Sequence, residues 1–118
     1  MEYQFLQVAF GGAMGASMRY GVGLLLRGGP LATLTVNVAG CFVMGLLVVA
    51  LGPRGPYTPL LLTGLLGGFT TFSAFSLDAL TLWEAGQTGT AAIYVMVSVM
   101  ASLAAVFAGA ALARWIGA

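Results

Sequence analysis

Tyr94, Ser98 and Ser102 recur at i, i+4 and i+8 within an otherwise apolar run of this chain. On a helix that spacing draws a narrow stripe of hydroxyls down one face. Thr33 and Asn37 also stand four apart and share a face with Gly40 and Met44. The stretch GGFTTFSAF, residues 67–75, adds Thr70, Thr71 and Ser73 beside Phe72 and Phe75, and Ser76 follows. Any one of these side chains is explained by an interhelical hydrogen bond. Together they describe a neutral file, rich in O–H and N–H donors, with no charged residue in it. A small anion that accepts hydrogen bonds suits such a file, and the electropositive edges of the Phe72 and Phe75 rings extend the donor set. An organic cation would want a buried carboxylate, and proton coupling an ionisable group near the midplane. Glu2, Asp78 and Glu84 all fall toward helix ends. No nucleophile–base pair and no general acid stands at depth, so enzyme chemistry is not expected.

The elements that position these residues follow from composition. Of 118 residues, 60% are hydrophobic and 6% charged, where a soluble domain carries about 25% charged residues. Four arginines, one aspartate and two glutamates cannot cover a water-soluble surface, so the chain reads as an integral membrane protein. With no histidine and one cysteine, neither a metal cluster nor a disulfide framework is expected, and Cys41 reads as a small buried hydrophobe. A net charge of +1 carries no nucleic-acid signal, and no such partner is expected. The first apolar stretch outruns a signal core and has no basic leader, so it reads as a retained span.

A span needs roughly 20 apolar residues, and the punctuation divides the chain into four runs. The first covers about 5–26 and ends in RGGP; the second covers about 31–51 and ends in GPRGPYTP. The third covers about 60–83, closed by EAGQTG, and the last about 90–116. Proline and glycine clusters between apolar runs are loop signals, and loops this short make neighbouring helices antiparallel. The expected fold is an all-α membrane unit of four helices, one domain over residues 1–118.

Four helices leave little interior for a pathway, so oligomerisation is expected. An even number of spans puts both termini and the second loop on one side. That side carries Arg54 and Arg114, and the other carries Arg27, with Arg19 buried in the end of helix 1. An asymmetry of about one arginine barely orients a chain. Insertion in both directions, with opposed copies pairing about an axis in the membrane plane, is one reading; orientation by that single arginine is the other.

Helix 3 is expected to break near its middle. Gly67 and Gly68 weaken it, and the β-branched threonines do not restore it. Unwinding frees carbonyl oxygens, which are good ligands for a hard cation such as Na⁺. Close helix packing is the alternative use of the two glycines.

Three stretches, GGAMGASMRY (11–20), TLTVNVAGCFVMG (33–45) and GGFTTFSAFSLD (67–78), closely resemble the signatures of the Fluc/CrcB fluoride channel family. The resemblance covers the whole chain. It implies a dual-topology, antiparallel homodimer in the cell (inner) membrane, surrounded by lipid, with two pores at the subunit interface and passive, selective export of cytoplasmic fluoride. It also implies that Phe72 and Phe75 are the paired pore phenylalanines and Asn37 the pore asparagine, with Thr33 a turn before it. Ser73 joins the polar wall of helix 3, and Tyr94, Ser98 and Ser102 form the hydroxyl track. Gly67 and Thr70 match the positions whose carbonyls hold a structural Na⁺ at the dimer interface. Arg19 matches an arginine by the aqueous vestibule, where it would attract anions; a helix-end arginine snorkelling to headgroups is the other reading. The chain departs from the family at Ala74, where many relatives carry threonine, and at Asp78, where glutamate is common.

Two other classes share some of these features. A small dual-topology guanidinium or multidrug exporter would need a membrane-embedded glutamate in helix 1, whose only charge is Arg19. A structural subunit of a membrane complex explains small-residue faces but not aligned polar residues.

Overall fold

A computed structural model describes residues 2–118, and every regular element among them is helical. The long helices α1 (Glu2–Leu25) and α2 (Gly29–Leu51) are followed by a π-helical segment, Pro59–Leu66, that runs directly into the short α3 (Gly67–Phe69). After two extended residues come α4 (Phe72–Glu84) and α5 (Thr88–Trp115). Three stretches, Gly29–Leu51, Pro59–Glu84 and Thr88–Trp115, are long and apolar enough to cross a membrane. The 24 residues of α1 make about 36 Å at 1.5 Å per residue, but Gln4, Gln7, Arg19 and several glycines leave it less apolar than the others. The long axis of the chain is 47 Å, close to the ~40–45 Å thickness of a bilayer with its headgroups.

Local sequence explains where these helices stop. α1 closes with Gly28 N–H on Gly23 O and Arg27 N–H on Leu24 O. That is a Schellman closure, with Arg27 in the left-handed position at φ 63° where glycine is usual. α4 closes the same way, Gln87 N–H on Leu82 O and Gly86 N–H on Trp83 O, with Gly86 at φ 80°. Pro30 stands at the start of α2, where its missing N–H costs nothing.

Packing is organised in two close helix pairs, both built on glycine. In the first, α1 lies against the third run. A Cβ on Gly68 would meet Gly12 O at 2.7 Å, one on Gly64 would meet Gly11 Cα at 3.0 Å, and one on Gly15 would meet Phe69 N at 2.8 Å. Gly11/Gly15 and Gly64/Gly68 each have small-xxx-small spacing, which lets backbones approach. In the second pair, α2 lies against α5: a Cβ on Gly45 would run into Val106 O, and one on Gly109 into Phe42 O. With few aliphatic side chains between backbones, the core is thin. Ala32, Val36, Leu62, Leu66 and Phe75 are buried, while Phe10, Met14, Met96 and Phe107 are exposed. An apolar exterior is the arrangement lipid rewards and water penalises.

The interruption of the third run lies in the expected glycine–threonine stretch, on its threonines and not on its glycines. Gly67 and Gly68 are helical; the extended residues are Thr70 (φ −86°, ψ 156°) and Thr71 (φ −151°, ψ 124°). Gly68 is used for close approach to α1, whereas Gly67 is exposed, with nothing nearer to its missing Cβ than Leu62 O at 3.7 Å.

Candidate functional site

Extended backbone inside a helical run leaves donors and acceptors that need partners. In a continuous helix the Thr71 N–H would donate to Gly67 O; instead it donates to Asn37 Oδ1 at 2.7 Å, and Asn37 Nδ2 donates back to Thr71 O at 2.9 Å. The Ala74 N–H, which would reach Thr70 O, donates to the Thr71 hydroxyl at 3.1 Å. Arg19 Nε donates to Gly68 O at 3.1 Å. The break is thus held by one side chain from α1, one from α2 and one of its own. The carbonyls of Gly67 and Thr70 lose the donors that a regular helix would send them.

Two cavities meet at this break, and Thr71 lines both. The first, about 410 Å³, is lined by Arg19, Tyr20, Arg27, Thr33, Thr71 and Ala74 among others. The second, about 340 Å³, brings together Asn37, Cys41, Thr70, Phe72, Phe75, Ser98 and Ser102. Most of the residues singled out in the sequence therefore gather on two adjoining surfaces: Arg19 and Thr33 on the first, and the amide, the phenylalanines and two α5 hydroxyls on the second. Ser73, Tyr94 and Gly67 line neither. Ser73 is exposed and shares a hydrogen bond of 3.2 Å with the Thr71 hydroxyl.

The aromatic residues form a short chain. The Phe72 and Phe75 rings meet edge to face, centroids 5.3 Å apart, and Phe75 lies 5.4 Å from the Tyr94 ring. Phe75 is buried, whereas Phe72 is 76% exposed in the single chain. Phe69 points elsewhere: its ring and Thr70 fill the space that a Cβ on Gly40 would need.

Hydroxyl satisfaction is uneven. Thr33 is buried and returns its proton to Gly29 O at 3.2 Å. Asn37 commits its carbonyl and one amide proton to Thr71, which leaves its second amide proton for the cavity. Ser98 is 5% exposed and its Oγ has no hydrogen-bond partner. A buried hydroxyl without a partner is costly, and Ser98 is free to donate into the cavity that it lines.

Two sequence expectations are corrected here. The expected file meets a charge at one member: Tyr94, which lines neither cavity, donates its hydroxyl proton to Asp78 Oδ2 at 3.1 Å. Asp78 and Tyr94 each lie eight residues from Gly86, so an antiparallel hairpin turning there brings them level; that symmetry was the available signal. Cys41 is not a buried hydrophobe either. It is half-buried and stands on the second cavity wall, because it continues the Thr33–Asn37 register by one more step of four. Thr71, one of the helix-3 hydroxyls in the sequence with no role of its own there, is the residue on which the site turns.

Among the described residues, no three His, Cys, Asp or Glu side chains converge on a metal site. A cation held at the break would rely on backbone oxygen, and the freed carbonyls of Gly67 and Thr70 are the donor type that Na⁺ accepts.

Residues 6–110 match the family described as CrcB-like protein, Camphor Resistance (CrcB). The Fluoride-specific ion channel FluC of Paracoccus denitrificans is 58% identical, with 97% of each chain covered. The protein of the same name from Rhizobium johnstonii is 49% identical over 94% of this chain and 96% of its own. That from Agrobacterium fabrum is 49% identical over 91% of this chain and 93% of its own. With its three motifs in order and its length matched almost end to end, the chain belongs to the CrcB-like family.

Proposed function

We propose that this protein is a fluoride-selective, passive ion channel that exports cytoplasmic fluoride, working as an antiparallel homodimer of four-span subunits with two pores. The observation that carries the reading is the second cavity, where uncharged donors surround a buried hydroxyl without a partner. Relatives covering almost the whole chain bear the name fluoride-specific ion channel, and nothing at the site supports catalysis.

Fluoride is small and holds its water tightly, so a path must replace that shell donor by donor. Arg19 and Arg27 at the first cavity raise the local anion concentration. Beyond Thr71, the spare Asn37 proton, the hydroxyls of Ser98 and Ser102 and the ring edges of Phe72 and Phe75 provide successive partners. A larger anion meets the same donors at the wrong spacing. The exposed Phe72 ring and the open side of this cavity are surfaces for a second copy, which would complete each pore. The near-balance of arginines supports opposed insertion of the two copies in the inner membrane. In that dimer the carbonyls of Gly67 and Thr70 would hold a structural Na⁺ at the interface. The ion would offset the repulsion between carbonyl dipoles converging from both chains.

Purified protein in liposomes tests the reading. Fluoride efflux followed by an ion-selective electrode is expected to be large and chloride efflux negligible. Comparable chloride flux, or no fluoride flux from well-folded protein, would sink it. Movement of guanidinium instead would restore the exporter reading.

A further inference from the structure

Cys41 is the only cysteine in the chain, and its position deserves an explanation beyond packing. On α2, Thr33, Asn37 and Cys41 follow at steps of four; on α5, so do Tyr94, Ser98 and Ser102. Short loops make α2 and α5 parallel to each other, and the two helices touch where Gly45 meets Val106. Along the same pair of helices, Asn37 and Cys41 of α2 come together with Ser98 and Ser102 of α5. The second cavity is lined by all four. Each step advances about 6 Å along the helix axes, so the thiol stands one turn beyond the Asn37 amide in the same file. It shares the cavity with Ser98, whose buried Oγ is unpartnered.

We propose that the Cys41 thiol is a site for soft, thiophilic metal, and that metal bound there closes the ion path. The idea rests on the channel reading above, because it places Cys41 on the wall of the path. The reacting species is neutral mercuric chloride, which crosses both lipid and an uncharged cavity. The thiol sulfur forms a bond to mercury, one chloride leaves, and the thiol proton passes to buffer, giving Cys–S–Hg–Cl with no change of oxidation state. Mercury favours sulfur over the hydroxyl and amide oxygens nearby, so one adduct per chain is expected. The adduct sets a bulky, electron-rich Hg–Cl group beside Asn37 and Ser102, where an anion would otherwise find donors.

The test uses the full-length protein in liposomes, with fluoride efflux and intact mass measured on the same sample. Mercuric chloride is expected to add one mercury per chain and to lower flux at least tenfold, with recovery after excess dithiothreitol. Cys41→Ala and Cys41→Ser are each compared with their own untreated flux, and neither should lose more than half of it under mercury. Wild-type protein that carries the adduct yet conducts as before overturns the proposal. So does wild-type protein that takes up no mercury, or equal inhibition of the alanine and serine variants. Untreated protein that moves no fluoride fails the channel reading instead; the mass measurement then still decides whether the thiol is open to the metal.

Discussion

Replacing Asn37 by alanine removes both hydrogen bonds that hold Thr71 extended, at 2.7 and 2.9 Å. A hydrogen bond inside a membrane protein contributes about 0.6 kcal/mol on average, and one in water up to about 1.5 kcal/mol. Two therefore sum to about 1–3 kcal/mol, a roughly 5- to 150-fold change in the population of the broken geometry. The chain has an alternative ready, because Thr71 N–H can return to Gly67 O and make the run helical. The fold should survive while the file is misaligned. We expect Asn37→Ala to purify with normal yield and elution and to pass fluoride at least fivefold more slowly than wild type. Its thermal midpoint should move by only a few degrees. A variant that elutes normally and conducts within twofold of wild type would refute the view that Asn37 maintains the path.

Phe72→Ile keeps apolar bulk but deletes the ring edge, and because Phe72 is exposed in the single chain its stability cost should be small; fluoride flux is expected to fall sharply. Phe69→Ile, off both cavities, should conduct like wild type, and equal losses at both positions would point to packing. Gly68→Ala forces a methyl onto Gly12 O at 2.7 Å and should lower the yield of folded protein by at least half, whereas Gly67→Ala, whose methyl meets only Leu62 O at an ordinary 3.7 Å, should fold normally; parity between the two would contradict the close α1 seam. Single cysteines placed at either terminus of a chain lacking Cys41 should be labelled from both faces of the membrane in similar amounts, and one-sided labelling would rule out dual topology.

Much of the architecture is legible from punctuation. Pro30, the prolines between 53 and 59, and Gly86 mark the ends of apolar runs, and backbone chemistry allows little else there. The i, i+4 registers of α2 and α5 are equally readable, since helical periodicity depends only on local geometry. The break falls inside the expected glycine–threonine stretch but on its threonines, because glycine's low helix propensity is a local rule. At Gly68 the missing side chain serves a tertiary seam instead, and the extended residues are the ones whose backbone groups other helices could satisfy. Asn37 and Arg19 supply that satisfaction from far along the chain, which no window of sequence reveals. Residue type hides the place of Cys41: flanked by apolar residues it looks like filler, whereas its register with Thr33 and Asn37 points to the cavity wall. The π-helical form of Pro59–Leu66 has no sequence signature that we recognise.

The bonds at Thr71 and Gly68 bear on the order of assembly. A single segment entering lipid must satisfy its backbone from within itself, and residues 59–84 alone can do so only as an unbroken helix. The acceptor for Thr71 N–H sits on α2 and the donor for Gly68 O on α1, so neither is available until those helices have docked. Insertion and path formation are therefore separate events. On the channel reading proposed above, the third run would enter the membrane straight and open at Thr70–Thr71 only when its neighbours arrive, and a partly assembled subunit would hold no open path through which the cell could leak.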